Sequence, residues 1–399
     1  MKKTFQFIMT IVLFSLFITA CEKESVVPDP EICEIHITDD ITENTTWKSS
    51  CTYYIDQDID VYNGAILTIE PGTVIKFAEG IELTVSSGGS STGNIVAEGT
   101  EDNNILFTSQ SLNPSRGDWD GIWLYSGCDA SKFKYCKIEY AGDYKWYGGS
   151  GAITSNNANN TAIDYCTFEN NDDYGVRIYQ NLSALSSFTN NEFIDNTSND
   201  LKLHAYHVSS IGEGNIFSKD IIVVGGDVDT PGDVVWRKQN AYYIIDNSSV
   251  IVGCSAGTKL IIEAGTSIKF PQAYGIDIAY ASSRIGMIEA IGTATDPITF
   301  TSSEPSPSYG DWTAITFYDG SLVGSEFEYC NFFYGGGYVG APAMIVFKFE
   351  QGSTTSISNC TFSHSEGYGI MLDQVNTDTN YPTLGNNSFS DNLLGDKNW

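Results

Sequence analysis

The strongest constraint in this sequence is an internal duplication. Residues 67–77 (LTIEPGTVIKF) return as residues 260–270 (LIIEAGTSIKF), and residues 95–109 return as residues 288–302, in both cases 193 positions later. A match at nearly constant offset over most of two halves indicates two copies of one structural unit, and such copies point to a repeat architecture.

Each copy contains a shorter period, marked by a Cys or Asn at the start of a short apolar run. These residues are Cys136, Cys166, Asn191 and Asn215 in the first copy, and Cys330, Cys360 and Asn387 in the second. Their spacings are 30, 25 and 24 residues, then 30 and 27. Such a period, with strands and no helical pattern between them, is typical of a solenoid whose coils stack along one axis.

Two segments carry a family resemblance. Residues 359–372 (NCTFSHSEGYGIML) and 165–179 (YCTFENNDDYGVRIY) resemble the PbH1-type repeats of right-handed parallel β-helix proteins. The PGTVIKF, GDWDGI and ITFTS elements resemble β-helix surface lipoproteins of the Bacteroidetes group. The resemblance covers residues 47–399 and implies an all-β, right-handed parallel β-helix solenoid built from two tandem copies. Function stays open, because this fold hosts lyases, hydrolases, adhesins and passive stalks.

The resemblance and the composition together predict a domain organisation. Residues 1–20 are a lipoprotein signal peptide, and residues 21–45 are a lipidated N-terminus and tether. Residues 46–216 form the first β-helix unit, residues 217–235 a junction, and residues 236–399 the second unit. Within the first unit, the segment from Trp47 to Tyr54 is expected to cap the exposed edge of the coil.

The first residues have the features of an export signal. Lys2 and Lys3 precede an apolar stretch over residues 5–18, which is too short to span a bilayer comfortably. The run LFITAC ending at Cys21 resembles the lipobox of bacterial lipoproteins and implies cleavage before Cys21 and lipidation of that residue. Residues 22–24 (EKE) resemble a surface-export signal of the same group. The expected location is the outer membrane, anchored by lipid and facing the cell exterior.

The charge balance excludes nucleic acid as a partner. The chain has 20 Lys plus Arg against 50 Asp plus Glu, for a formal net charge of −30. Binding to phosphates requires clustered cations, which this composition does not supply. A site for an acidic polysaccharide would have to be local, and Arg116 and Arg177 are the candidates for it.

The cysteines of the repeat are expected to be reduced. Cys136 with Cys166, and their second-copy counterparts, hold the same position in successive coils. Their side chains should then run parallel at roughly 4.8 Å, which is poor disulfide geometry. Cys33 and Cys51 are an alternative pair that could close a bridge near the start of the coil.

Calcium is the metal that the sequence leaves possible. Asp56, Asp58 and Asp60 alternate along one face and, with Asp39 and Asp40, could form an oxygen-rich site. The spacing does not fit an EF-hand loop, and solvated surface charge is the alternative. No cofactor is assigned.

Two sets of residues superficially resemble catalytic groups but do not fit that role. Asp172 and Asp173 followed by Arg177 superficially resemble the polygalacturonase set, but that family spreads these groups over separate coils and adds a Gly-His-Gly that is absent here. His204 and His207 lie three apart on a predicted strand, so they should point to opposite faces. No catalytic residue is assigned.

Aromatic, Gly-rich loops recur at equivalent places in both copies and are the predicted ligand-binding residues. They are Tyr140, Tyr144, Trp146 and Tyr147 in the first copy, and Phe333, Tyr334 and Tyr338 in the second. Exposed rings are platforms for sugar rings, whereas rings folded onto the coil beneath would serve packing. Trp119 and Trp312, in the recurring Gly-Asp-Trp turns, are expected to be structural and to cover the flank of a coil.

The sequence therefore predicts a lipid-anchored, cell-surface β-helix protein that binds or adheres to a glycan or another extracellular partner without catalysis. A polysaccharide lyase or glycoside hydrolase is the alternative, and a passive structural stalk is a further one. An enzyme should gather two carboxylates roughly 5 to 10 Å apart in one groove. A binder should present aromatic rings without such a pair.

Overall fold

Short parallel strands, wound around one axis, make up the folded chain. The computed structural model describes residues 33–87, 91–142, 149–179, 185–281, 283–321, 324–348, 355–373 and 381–399. Within these ranges the paired strands run parallel to their neighbours, and one short 3₁₀ helix, Ala205–Ser210, is present. The predicted all-β parallel β-helix is confirmed.

The strands are numbered in chain order. The strands Cys33–Ile37, Thr45–Trp47, Cys51–Ile55, Ile59–Val61, Ala65–Ile69, Val74–Phe77, Glu82–Val85, Gly93–Glu98 and Ile105–Ser109 are β1 to β9. The strands Gly121–Tyr125, Lys132–Lys134, Cys136–Glu139, Gly151–Asn156, Thr161–Asp164, Thr167–Glu169, Tyr174–Ile178, Leu185–Thr189, Glu192–Ile194 and Leu201–His204 are β10 to β19.

The second half follows the same order. The strands Ile221–Val228, Gly232–Trp236, Tyr243–Val252, Thr258–Ile262, Ser267–Phe270, Ile276–Ile278, Gly286–Ile291, Ile298–Ser302 and Ile315–Phe317 are β20 to β28. The strands Glu326–Glu328, Cys330–Phe333, Ala343–Phe347, Ser356–Ser358, Thr361–Ser363, Tyr368–Leu372, Thr383–Gly385, Ser388–Ser390 and Gly395–Lys397 are β29 to β37.

Each copy forms three ladders of stacked strands. In the first copy they are β1-β3-β6-β9-β12-β15-β18, β2-β5-β8-β11-β14-β17 and β4-β7-β10-β13-β16-β19. In the second copy they are β21-β23-β26-β29-β32-β35, β24-β27-β30-β33-β36 and β25-β28-β31-β34-β37. Alternate residues of each strand face the interior, so the apolar set forms one continuous core.

Two long strands join the copies. β20 pairs with β19 on one side and with β22 on the other, all in parallel. β22 then divides, since its first part pairs with β24 and its second part with β25. The ladder thus continues from one copy into the next, and Cys33–Trp399 is one compact unit. The predicted boundaries of the two copies remain a prediction.

The inner column of Cys and Asn residues follows the sequence period. The Asn191 side-chain oxygen accepts the backbone N–H of Cys166 at 3.0 Å, and its amide donates to the carbonyl of Ile163 at 2.9 Å and to Asn215 Oδ1 at 3.1 Å. Asn191 is fully buried. Buried amides must be satisfied, so this ladder of side chains replaces the backbone bonds that the tight bend between strands leaves unmade.

Alternate strand residues line the core, and one expectation about tryptophan is wrong. Leu67 and Phe77 face inward and are fully buried. Trp119 was expected on the flank of a coil, but it is fully buried against Phe77, with ring centroids 4.0 Å apart. Its indole N–H donates to the carbonyl of Glu139 at 2.9 Å. That bond permits burial of the ring, and Trp312 repeats the arrangement in the second copy.

The start of the coil lies earlier than predicted. β1, Cys33–Ile37, falls inside the segment 21–45 that was expected to be a tether, and it pairs with β3. The expected cap around Trp47 is also part of the coil, because β2 pairs with β5. Trp47 packs inside against Tyr53 at 4.9 Å. Pairing and ring burial outweigh the polar, Pro-containing character of the preceding residues.

One pair of cysteines forms a disulfide, and the cysteines of the repeat are reduced. Cys33 and Cys51 form a disulfide, with Cα atoms 4.4 Å apart. Cys136 and Cys166 are free, buried and in contact, and burial raises the pKa of the Cys136 thiol well above its usual value. Cys33 and Cys51 are partners in a parallel pair, so parallel register by itself does not prevent a bridge.

Candidate binding site

The outer surface of one ladder differs between the two copies. Thr84 on β7 corresponds to Asp277 on β25, because the two residues are 193 positions apart, which is the offset between the two copies. In the first copy the outward row from Thr84 runs through the buried Trp123 and Thr154 to Arg177 and Lys202. In the second copy the row from Asp277 runs through the buried Thr316 and Val346 to Met371, so the charged groups occupy different places on the two copies.

The charged group at the centre of this second-copy surface is Lys348, which directly follows β31. We call this surface the lysine site, and its residues are Asp277, Tyr280, Tyr318, Tyr338, Lys348 and Asp373. Lys348 Nζ donates to Tyr338 Oη at 2.8 Å and lies 3.9 Å from Asp373 Oδ2. The same ammonium group lies 4.0 Å from the ring centroid of Tyr338, a cation–π contact. Lys348 is thereby fixed on the face of the sheet.

Asp277 is a carboxyl group whose pKa is changed by its burial in this surface. Burial raises the pKa of its carboxyl to about 6, although the charge of Lys348 and a hydrogen bond from Thr316 act in the opposite direction. Desolvation disfavours the charged form of a carboxylic acid, which is the cause of the increase. Near neutral pH a small downward pH change therefore gives this carboxyl a proton to donate.

Aromatic side chains border the lysine site. Tyr280 is 56% exposed and meets Tyr318 edge to face, with ring centroids 5.1 Å apart. Burial, and then the charge of Asp277, raise the pKa of the Tyr318 hydroxyl. Tyr338 packs against a small apolar cluster on the outside of the sheet that includes Ala343. The site thus combines an exposed ring, anchored rings, and both donors and acceptors of hydrogen bonds.

The strands that carry the two carboxylates of the lysine site lie far apart along the ladder. Asp277 is on β25, whereas Asp373 directly follows β34, and the ladder passes through β28 and β31 between them. Three steps of about 4.8 Å separate these strands by roughly 14 Å. The acid and base of a glycosidase lie at most about 9.5 Å apart.

The predicted ligand-binding residues divide between surfaces. Tyr338 belongs to the lysine site, whereas Phe333 and Tyr334 lie at the end of β30 on the adjacent ladder. Tyr140 occupies the position in the first copy that corresponds to Tyr334, and it packs partly against the core. The remaining ones, Tyr144, Trp146 and Tyr147, lie outside the described residues.

Sequence analysis missed most of the lysine site. Asp277, Tyr318 and Lys348 come from three different strands, and no local motif links them. A signal does exist, because outward positions change chemistry between the copies: Thr84 becomes Asp277. Comparing the outward residues of the two copies position by position distinguishes Asp277 and Lys348, whose counterparts are Thr84 and Asn156, but not Tyr318, whose counterpart is Tyr125.

The groups rejected as catalytic have structural partners. Arg177 is buried, donates to the carbonyl of Gly149 and lies over the Tyr179 ring at 4.6 Å. Asp173 accepts the backbone N–H of Ser150 at 2.6 Å. The predicted strand through both histidines is wrong, because His204 ends β19 and His207 lies buried in the 3₁₀ helix Ala205–Ser210. His204 Nε2 is 3.2 Å from the carbonyl oxygen of Tyr179.

The acidic residues considered for calcium also bond to protein groups. Asp56 pairs with His36 at 2.5 Å and accepts from Gln110 at 3.0 Å. Asp40 accepts the backbone N–H of Asp60 at 2.9 Å. Among the described residues there is no group of three or more His, Cys, Asp or Glu side chains placed to hold a metal ion.

Cys21, the predicted lipidation site, lies outside the described residues. In the part of the chain that the structure does describe, no helix has the length and apolar character needed to cross a membrane.

Comparison with known proteins identifies the domain type. The sequence matches the family model described as a pectate-lyase-like β-helix domain over residues 39–173 and 226–337. A search of curated proteins gave no significant match. One similar solved structure is that of the Streptococcus pneumoniae surface protein and adhesin PfbA, with 11% identity and a TM-score of 0.21, covering 87% of this chain and 91% of that chain. At that TM-score the likeness carries no argument. The two matched segments together span more than half of the sequence, and the chain therefore belongs to the pectate-lyase-like β-helix domain family.

Proposed function

We propose that this chain is a lipid-anchored outer-membrane protein that faces the cell exterior and binds a glycan at the lysine site without cleaving it. The observation that carries this proposal is Lys348, held between the Tyr338 hydroxyl at 2.8 Å and Asp373 at 3.9 Å. Its ammonium group lies 5.8 Å from the ring centroid of Tyr318, which in turn contacts the exposed ring of Tyr280. Binding sites combine apolar and aromatic surface with a few placed polar groups that fix orientation. A sugar offers both an apolar ring face and hydroxyls to such a site.

The charges of the site favour a neutral glycan. Asp277 and Asp373 supply two carboxyl groups against the one ammonium group of Lys348. A uronate would meet like charge from both sides, and the chain as a whole has a net charge of −30. Hydroxyls of a neutral sugar can instead donate to the carboxylates and accept from Lys348.

Binding is favoured over cleavage by the spacing of the strands that carry the two carboxylates. Asp277 is on β25 and Asp373 follows β34, three strand steps or about 14 Å along the ladder, whereas the acid and base of a glycosidase lie at most about 9.5 Å apart. A lyase or hydrolase would release products from the glycan, and a passive stalk would not retain the glycan.

Anchoring rests on Cys21. The lipobox-like sequence before it supports cleavage and acylation there, and several acyl chains hold an otherwise soluble protein firmly at a membrane. Mass spectrometry of the N-terminal peptide of the membrane-extracted protein should find acyl groups on Cys21, and a Cys21→Ser variant should leave the membrane fraction. Protease treatment of intact cells tests exposure to the exterior, and an undigested chain would contradict it.

The test of binding uses the protein from Glu22 onward, which retains the compact unit Cys33–Trp399. It is screened against a panel of neutral and acidic glycans, with and without EDTA, and both retention and new reducing ends are measured. Lys348→Ala should lower the affinity for a retained glycan at least tenfold. The matched control is Asn156→Ala, the counterpart at the end of β13 in the first copy, which should change nothing.

Two results would overturn this function. Release of reducing ends would make the protein an enzyme, and equal binding by the Lys348→Ala and Asn156→Ala variants would place the ligand elsewhere. Loss of retention in EDTA would add a metal ion, with calcium the expected one, to the binding requirements.

A further inference from the structure

A second surface of the C-terminal copy is an array of uncharged side chains, polar at every position but one. We call it the hydroxyl face, and it consists of Thr299, Thr301, Asn331, Thr361, Ser363, Ser388 and Ser390, with the ring of Phe333 at the remaining position. These are the outward residues of β27, β30, β33 and β36, arranged in two rows because residues two apart on a strand share a face. The register is continuous: Thr299 pairs with Asn331, which pairs with Thr361, which pairs with Ser388.

The core beneath keeps this face regular. Phe300, Phe332, Phe362 and Phe389 are the inward residues of the same strands and form a continuous ring stack. Successive centroids are 5.0, 4.7 and 5.1 Å apart, and the rings are within 12° of parallel. Identical rings stacked at this spacing hold the strands in register, so the outward hydroxyls repeat at nearly constant intervals along the axis.

The hydroxyl face lacks charge in a strongly acidic chain. Its counterpart in the first copy, the outer side of β9, β12, β15 and β18, carries Lys137, Glu139, Glu169 and Glu192. There Lys137 Nζ lies 2.8 Å from both Glu139 and Glu169. The same scaffold therefore supports a charged surface in one copy and a neutral one in the other.

Aromatic rings border the hydroxyl face on one side. Tyr334 directly follows β30, and its ring centroid is 5.0 Å from that of His364, which directly follows β33. Tyr309 is 42% exposed, and its ring centroid is 5.5 Å from that of His364. Rings of this kind suit stacking against sugar rings.

We propose that the hydroxyl face binds an extended neutral polysaccharide that lies parallel to the axis of the coil, with about one sugar residue for each strand. One strand advances about 4.8 Å along the axis, which is close to the length of one pyranose unit in an extended chain. Repeating hydroxyl and amide groups match repeating sugar hydroxyls, and the absence of charge avoids the desolvation cost of buried ions. This inference rests on the proposed function for the class of ligand and adds a separate surface.

The experiment measures binding of neutral β-linked gluco-oligosaccharides of increasing length and of the insoluble polymer. Affinity should rise with length up to about four sugar units, the span of β27 to β36, and then level off. Thr361→Lys should weaken binding of the longest oligosaccharide at least tenfold. The matched control is Thr167→Lys, at the corresponding position of β15, which should leave binding unchanged. Thermal unfolding followed by circular dichroism verifies that both variants fold.

The outcomes separate the two proposals. If Thr361→Lys abolishes binding of long chains while Lys348→Ala does not, the hydroxyl face is confirmed independently of the lysine site. If only Lys348→Ala matters, the present inference fails and the proposed function stands. Equal effects of the Thr361 and Thr167 substitutions, an affinity that does not depend on length, or recognition of ice crystals instead of polysaccharide would each overturn it.

Discussion

Replacing Asp277 by Asn should stabilise the protein at neutral pH and have little effect in acid. Burial raises the pKa of this carboxyl from 3.8 to about 6. Below about pH 4 the group is neutral in both the folded and the unfolded chain, so it costs nothing. Between about pH 4 and pH 6 the unfolded chain loses the proton while the folded chain keeps it, and stability falls as pH rises.

The size of the effect follows from the two pKa values. A difference of about two pH units corresponds to about 3 kcal/mol of unfolding free energy at about pH 8, because each unit contributes about 1.36 kcal/mol. Asn has the same shape and no charge, so Asp277→Asn should recover most of that amount. Urea unfolding at about pH 8 and about pH 4, followed by tryptophan fluorescence, measures both values.

A mirror-image variant tests the same reasoning in the first copy. Thr84 is the counterpart of Asp277 and is 7% exposed. Thr84→Asp should therefore destabilise the chain at about pH 8 and much less at about pH 4. The reasoning is refuted if Asp277→Asn is equally stabilising at both pH values, or if it destabilises at about pH 8, since the attraction to Lys348 would then exceed the effect of burial.

Three further changes test other parts of the fold. Asn191→Ala removes three hydrogen bonds at a fully buried site and should cost about 3 kcal/mol or more in urea unfolding, whereas Asn191→Cys, the residue type found one coil earlier, should cost less. Reducing the Cys33–Cys51 bridge, which closes 18 residues, should cost about 3 kcal/mol at most, and proteolysis should then begin at β1. Burial raises the pKa of Cys128 to about 12, so iodoacetamide should label it at about pH 8 only after unfolding; fast labelling of the native protein would contradict its burial.

The repeat was predictable because its period is chemical as well as geometric. Asn191 and Asn215 must satisfy backbone groups at each bend, and few side chains do so, which makes the column visible in the sequence. The start of the coil was less visible. β1 has weak apolar character, and the contact that secures it, Cys33 with Cys51, is only one of several pairings that the cysteines allow.

The candidate site was only partly predictable. Tyr338 could be proposed from the sequence because its loop is rich in glycine and aromatic residues. Its partner Lys348 was missed, because winding of the chain, not sequence distance, determines which outward residues meet. Trp312 was assigned to the flank since sequence alone does not show that its indole N–H finds a buried carbonyl, at 2.7 Å from Phe333.

The long strand β22 has a consequence for how the two copies evolve. Because it contributes to two ladders of the second copy while remaining paired to β20, neither copy can change its pitch or its cross-section without disturbing the other. Substitutions that accumulate after the duplication are therefore tolerated mainly at residues whose side chains point outward from the ladders. The backbone pairing and the inward side chains therefore stay alike in the two copies, and the outward side chains are where the copies differ.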